Sequence, residues 1–486
     1  MIKRFRPYLL LAIIGLVLFS IPGVQAASKT PEIGTNGHSR AEQAQKMAAL
    51  HARLTASPHA AIRQNIALTA VENDILDRLG VDSTGRFRVG VHRAVSWAVS
   101  NKGTDLIVRV QGAQAVRLEL TDVKGTVSVF NNAGEAHEYT EDGFTHTFWG
   151  EEVQIRGSVH VAGAGVMTLS YCGSEVWCLV NATCAEIDKA IPQQINSVRD
   201  AYASILFISG PYYYVCSGGL IADSDDTTNI PYFLTANHCI DKTREALSVE
   251  TFFQYTTPCE NDNNCSLWNI SSDTVGSTIM ATGSDGDFTL LELKENPPTT
   301  TFLGWNSDPV ADTNGTQLYR ISHPGGLPQA YSEHEVDTTE GITCRSWPRG
   351  ERIYSRDTLG ATAGGSSGSP VLNTDAQIVG QLSGACGTNV YDECDPENNA
   401  TVDGAFAYYY PKVKPFLGEG TVSSECVESG ECDDSNPCTD DTCDSGQCIN
   451  TPNGSCPSTC LLKGEQCDPE VPCCSGSCHP VKGTCK

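Results

Sequence analysis

The chain has 486 residues, enough for two or three domains, and its 19% charged and 40% hydrophobic content excludes wholesale disorder. A net charge of −26 at pH 7 argues against nucleic acid or an anionic membrane as partner, because both repel an acidic surface. The 22 cysteines argue for an oxidising compartment in which disulfides persist.

The N-terminus predicts export. Lys3, Arg4 and Arg6 precede an apolar run from Tyr8 to Ile21, and Val24-Gln25-Ala26 supplies a small-x-small cleavage pattern. The run is shorter than the roughly 20 uninterrupted apolar residues a membrane anchor needs, and Pro22-Gly23 ends it. Residues 1–26 therefore read as a signal peptide and the protein as secreted. There are no cysteines before Cys172, ten from Cys172 to Cys394 and twelve from Cys426 to Cys485, which divides the rest into three regions.

In the first region, residues 40–79 are predicted helical, with Ala44, Met47, Ala48, then Ile62, Ile66 and Leu79 at helical spacing and Pro58 between two helices. Over 86–170 the pattern changes to alternating runs such as Leu106-Ile107-Val108-Arg109-Val110 and Val116-Arg117-Leu118-Glu119-Leu120, with Gly, Asn and Asp turns between them. A small β-sandwich is expected there. A cysteine-free stretch, 27–171, ahead of a disulfide-bonded domain reads as a removable propeptide, in preference to a permanent binding or spacer domain.

The region 172–418 is rich in short β-type runs, including Ile205 to Ile208, Tyr212 to Val215, Phe288 to Leu291 and Gln377 to Gly380, which predicts one all-β barrel or a pair. Three stretches carry chemistry: Phe233-Leu234-Thr235-Ala236-Asn237-His238-Cys239, Gly286-Asp287-Phe288-Thr289-Leu290-Leu291, and Gly364-Gly365-Ser366-Ser367-Gly368-Ser369-Pro370. A lone histidine is usually structural, an aspartate before a strand is usually a turn residue, and Gly/Ser runs are usually flexible loops. The specific signal is their combination, in the order His, Asp, Ser. A zinc site on His238 and Cys239 lacks a second ligand pair at useful spacing, so no metal and no cofactor is expected.

This combination resembles the chymotrypsin-like serine proteases, with their Thr-Ala-x-His-Cys, Asp-x-Thr-Leu-Leu and Gly-x-Ser-Gly-x-Pro stretches. Within them it is similar to the bacterial lysyl endopeptidases in its Gly-Ser-Ser-Gly-Ser-Pro turn, in Gly380-Gln381-Leu382 and in the Cys178-x5-Cys184 pair. The resemblance covers about Cys178 to about Phe416. It implies a mainly β fold, a double β-barrel of trypsin type, with His238, Asp287 and Ser367 as catalytic triad. It also implies the backbone amides of Gly365 and Ser367 as oxyanion hole, and Ser383 and Gly384 beside the substrate. Implied bridges are Cys216–Cys239, Cys178–Cys386 and Cys184–Cys259. Selectivity for Lys or Arg needs a carboxylate in the specificity pocket. The position acidic in trypsin-like members is Ala361, and in the lysyl branch the acid comes from a late loop, where Thr401 or Asp403 falls depending on the gap; Asp403 is the nearby acid. Ser366 stands where digestive members carry the aspartate that pairs with a new N-terminus, so latency is expected to come from the N-terminal region, removed by a cut just before Cys172.

Beyond Gly418 the chain is acidic and cysteine-dense: a module at 419–459, then Cys460, Cys467, Cys473, Cys474, Cys478 and Cys485 at 460–486. The latter resembles an inhibitor cystine knot, or knottin, which implies Cys460–Cys474, Cys467–Cys478 and Cys473–Cys485. A protein, carbohydrate or surface target is expected for this tail. The chain thus reads as a monomeric secreted serine endopeptidase acting on protein or peptide substrates. The alternative is a catalytically silent secreted binding or adhesion protein that uses the β domains and the knottin-like tail.

Overall fold

The structure is a computed structural model that describes residues 27–34, 40–78, 80–82, 86–100, 103–167, 177–259, 272–339, 347–418, 439–444 and 447–452. The signal peptide, the knottin-like cysteines, Cys172, Cys265 and Cys344 lie outside the described residues. Chain contacts separate two units, Ala27–Gly420, and Thr421–Lys486 with Met1–Ala26. In the second, Thr439–Asp444 and Gln447–Pro452 form an antiparallel hairpin with Cys443 opposite Cys448. No helix among the described residues is long and apolar enough to cross a membrane.

The protein is mainly β, and residues 202–405 form two closed barrels. In the first, antiparallel pairing runs from Tyr202–Ser209 to Tyr212–Leu220, Tyr232–Ala236, Phe288–Leu293 and Ser277–Gly283. Gly276, at φ 84°, then lets the same chain turn and continue as Thr274–Val275, which pairs with Glu250–Phe253 and so returns to Tyr202–Ser209. The second barrel runs through Gln317–Ser322, Ala330–Val336, Arg352–Leu359, Asn399–Ala405, Gln377–Gly387 and Pro370–Leu372, and closes on Gln317–Ser322. Closure leaves the second barrel no open edge, whereas the start of Tyr212–Leu220 in the first keeps one side free for a further strand.

One core joins the barrels. Leu220, Phe233, Phe288 and Leu290 from the first meet Ile321, Tyr331, Leu372 and Ile378 from the second. The helix Phe406–Leu417 closes it, burying Phe406, Tyr409, Tyr410, Val413 and Leu417, with Tyr409 stacked 4.3 Å from Phe288. Each such fully buried side chain contributes about 1.5–3 kcal/mol of apolar transfer, which holds the two barrels in fixed register at their seam.

The N-terminal region departs from expectation in two ways. A helix, Arg40–Thr55, does form, but Ala60–Ile66 is a strand, parallel to Thr104–Val110, and only Ala70–Leu76 is helical after it. Pro58 stops the first helix, and the apolar spacing of Ile62 and Ile66 is satisfied by a ladder instead of a helical face. The second departure is continuity. The long kinked strands Phe87–Val99, Ala115–Phe130 and Glu152–Met167 curl around a core of Val108, Leu118, Val129, Ile155 and Val161. Phe87–Val99 also pairs with Tyr212–Leu220, so the N-terminal sheet runs straight into the first barrel. The segment after the expected cleavage point is tied down too: Ser28–Lys29 pairs with Gly304–Asn306, and the Ala27 amide donates to Ser307 Oγ at 2.9 Å.

Candidate active site

The inter-barrel seam brings His238, Asp287 and the turn of Ser367 together. His238 follows the strand Tyr232–Ala236, and Cys239 beside it is bonded to Cys216 one strand away, which fixes the chain at the histidine. Asp287 sits at φ 52°, a left-handed conformation that aspartate tolerates better than most residues, and the turn aims its carboxylate back at His238. Its Oδ1 accepts from the His238 backbone amide at 2.8 Å and its Oδ2 bonds the imidazole Nδ1 at 2.8 Å. Ser383 Oγ donates to the same Oδ2 at 2.5 Å. Burial pushes this carboxylate's pKa up, but the charge and hydrogen bond of His238 and the bond from Ser383 outweigh it and hold Asp287 below the ordinary range. Ser383, expected beside the substrate, thus also positions Asp287.

The turn is built for close approach. A Cβ on Gly368 (φ 82°) would stand 2.2 Å from Thr235 Oγ1 and 2.6 Å from the Ser217 carbonyl oxygen, so only glycine lets the turn lie against the strand that delivers His238. Ser217 pins it, with its amide donating to the Ser367 carbonyl at 2.8 Å and its hydroxyl to the Gly365 carbonyl at 2.9 Å. The three serines differ sharply. Ser366 is fully buried and bonds the Ser322 hydroxyl at 3.0 Å, Ser369 is fully buried against Arg320, and Ser367 is 6% exposed with no hydrogen bond to its hydroxyl among the described residues. The amides of Gly365 (φ 98°) and Ser367 likewise donate to no group among the described residues. Such an arrangement can hold a hydroxyl near a neutral imidazole and two free N–H donors near a carbonyl oxygen.

Other expected residues fall elsewhere. Gly384 faces open space. Asp403 is fully buried, with Oδ1 2.6 Å from Arg320 Nη2, so its charge is already neutralised inside the second barrel. Cys184 bonds Cys259 as expected, but Cys178 bonds Cys394, not Cys386. Cys386 is itself disulfide-bonded and packs in its strand against Tyr354, Ala400 and Val402, whereas Cys394 lies on the loop beyond that strand, 5.6 Å from Cys178 between Cα atoms, within bonding range. Cys216, His238 and Cys239 form the one His/Cys/acid cluster of metal-ligand spacing among the described residues, and with both sulfurs oxidised it offers no thiolate.

Sequence reasoning pointed to the N-terminal region as the source of latency but did not name the residues that lie against the site. Val81 and Phe87 lie against its turn: a Cβ on Gly364 would stand 2.3 Å from Val81 Cγ2 and 3.1 Å from Phe87 Cδ2. Arg86 Nε donates to the His238 carbonyl at 2.5 Å, and Tyr214 donates to Asp82 at 2.7 Å. No hydrogen bond joins Ser367 Oγ to His238 Nε2 among the described residues; that nitrogen lies 3.8 Å from Cys239 Sγ. The signal was Arg86-Phe87-Arg88, a basic run opening a strand in an acidic chain.

Residues 172–399 match the family "Lysyl endopeptidase, C-terminal domain". A lysyl endopeptidase of Pseudomonas aeruginosa is 29% identical over 223 residues, which cover 44% of this chain and 45% of that protein. The chain thus spans less than half the length of this curated relative. Among solved structures, the active form of the Rv3671c protease of M. tuberculosis is 13% identical, covering 51% of this chain and 92% of that one at a TM-score of 0.33. A serine endoprotease of Yersinia pestis is 16% identical, covering 47% and 67% at a TM-score of 0.30.

Proposed function

We propose that the chain is a secreted serine endopeptidase that hydrolyses peptide bonds through an acyl-enzyme, with Lys or Arg before the scissile bond. The observation that carries this reading is the convergence on Asp287. One carboxylate takes the amide and Nδ1 of His238 and the hydroxyl of Ser383, which fixes the proton on Nδ1 and leaves Nε2 as the base. Ser367 Oγ attacks the carbonyl carbon, and its proton passes to Nε2. The oxyanion draws on the Gly365 and Ser367 amides. The imidazolium then protonates the leaving amine, and water, deprotonated in turn by Nε2, releases the acid and restores Ser367.

On this reading residues 27–171 are the propeptide, and Val81 and Arg86 hold the site closed until a cut just before Cys172. Support comes from Val81 on Gly364 and Arg86 on His238. The test compares the full chain with the processed chain, each as wild type and as Ser367→Ala, against a peptide library and a fluorophosphonate. Processed wild type is expected to cleave and to be labelled, and Ser367→Ala to lose about 10⁴-fold or more in kcat. Labelling that persists in Ser367→Ala, or an unprocessed chain as active as the processed one, overturns the corresponding half of the reading.

A further inference from the structure

The second barrel buries a cluster of ionisable side chains, Arg320, His334 and Asp403, with Asp357 beside them. Arg320 and Asp403, both fully buried, neutralise one another. Arg320 Nε also donates to His334 Nε2 at 3.4 Å, and Ser332 Oγ lies 2.9 Å from that nitrogen. Accepting from the guanidinium at Nε2 leaves the ring hydrogen on Nδ1. That hydrogen goes to Asp357 Oδ1, 2.7 Å away, and Thr401 Oγ1 donates to the same oxygen at 2.7 Å. Arg320 and Asp403 thus pair with one another, and Asp357 has no guanidinium or ammonium within ion-pair distance among the described residues.

Asp357 is also the member of this cluster that reaches solvent. Its side chain is 13% exposed, against 0% for Arg320, Asp403 and His334. Both its hydrogen bonds fall on Oδ1, and Oδ2 bonds nothing among the described residues while not being sealed from water. Its partner Thr401 belongs to the strand that pairs with the one carrying Ser383. Thr401 stands opposite Ala385 in the ladder, two residues along from the Ser383 that bonds Asp287. The strand carrying Asp357, Arg352–Leu359, leads through Gly360 into Ala361 and the nucleophile turn.

We propose that Asp357, held by His334 and Thr401, is the residue that recognises a cationic side chain, lysine or arginine, preceding the scissile bond. This rests on the endopeptidase reading and reassigns its specificity residue from Asp403 to Asp357. A carboxylate with one oxygen anchored and the other free is preorganised for an ammonium or guanidinium leaving water, whereas Asp403 has its charge already spent.

The test uses the processed protein and matched peptides with Lys, Arg or the neutral isostere norleucine before the cut, with p-aminobenzamidine as a cationic binding probe. Wild type is expected to prefer Lys or Arg over norleucine by about 100-fold or more in kcat/KM. Asp357→Asn, which keeps the shape and can still accept from Thr401, is expected to erase that preference and to weaken probe binding by about 100-fold. The loss for the Lys and Arg peptides is expected to exceed any loss for norleucine cleavage or fluorophosphonate labelling by about 100-fold, and Asp357→Glu should recover part of the preference. A wild-type preference for norleucine, or an unchanged Lys preference in Asp357→Asn, overturns the proposal, as does an equal loss for every substrate. If Asp357→Asn does not fold, Asp357→Glu decides: a Lys and Arg preference unchanged by moving this carboxylate one methylene overturns the proposal. A wild type that neither cleaves nor labels, yet binds the probe through Asp357, removes the endopeptidase reading instead.

Discussion

Two arginines are completely buried among the described residues, and they are not equivalent. Arg320 in the second barrel reaches Asp403 at 2.6 Å, the Ser369 carbonyl at 2.8 Å and hydroxyl at 3.2 Å, and His334. Arg117, in the N-terminal region, meets Glu250 of the first barrel at 3.4 Å through Nε, which also donates to the Thr145 carbonyl at 2.7 Å, while its Nη1 and Nη2 find no acceptor. Glu250 draws its best bonds from Thr147, both at 2.6 Å. A charge saturated with partners belongs to a permanent core. An under-satisfied one at a seam between chain segments marks a junction that can come apart at lower cost. Other pairs along that seam follow suit, among them Arg40 with Asp273 and Arg244 with Glu119, both partly exposed.

The largest effect is expected from Arg320→Met, which strands Asp403 in the barrel and should cost about 3–5 kcal/mol in urea unfolding, with the double variant Arg320→Met/Asp403→Leu restoring most of it. Arg117→Met should cost less, about 1–2 kcal/mol, because it removes two donors that had no acceptors and leaves Glu250 its Thr147 bonds. Equal losses for the two single variants would break the contrast between core and seam.

That contrast was only half legible in the sequence. The strand pattern of residues 202–405 and the three short motifs set out the barrels and the site, because alternation and Gly/Ser turns are local signals. Arg320 gave no local signal in the strand Gln317–Ser322, because its partners Asp403 and His334 come from two other strands and only closure of the barrel brings them together. Asp357 stayed hidden for the same reason: its meaning depends on Thr401, which the pattern placed at a possible acid position without showing which strand would face it. Ala60–Ile66 was misread because apolar residues four apart suit a helix as well as an edge strand, and a parallel partner 40 or more residues later decides between them. The docking of Val81 and Arg86 had no local pattern beyond a basic pair.

Salt sharpens the comparison next. The seam's partly exposed pairs are screened and the sealed Arg320 pair is not. Raising NaCl from 0.05 to about 1 M is therefore expected to speed hydrogen exchange of the amides pairing Phe87–Val91 with Tyr212–Val215, while those of Gln317–Ser322 stay unchanged. Similar acceleration in both places would mean that the seam is no weaker than the barrel.

The smallest effect is expected from pH, and its sign follows from two carboxylates of the seam. Burial raises Glu135 to about 7, against the bonds from Trp149 and Asn131, and raises Asp273 to about 6, against Arg40. Each folded-state pKa lies above its unfolded value, so between the two values the folded chain holds a proton that the unfolded chain has lost. Stability must then fall as pH rises, from about 4 to 6 for Asp273 and from about 4.5 to 7 for Glu135. Asp287 and Asp357 are shifted downward, so their contribution is already complete above pH 4 and gives no slope in that window. The N-terminal region should therefore loosen between pH 5 and 7.5 while the second barrel does not. Glu135→Gln, which needs no proton to keep its place beside Trp149, should flatten part of the slope when the melting temperature is followed across that range. A slope of opposite sign, or one unchanged in Glu135→Gln, would detach the seam's weakness from its buried acids and leave the unsatisfied Arg117 as its source.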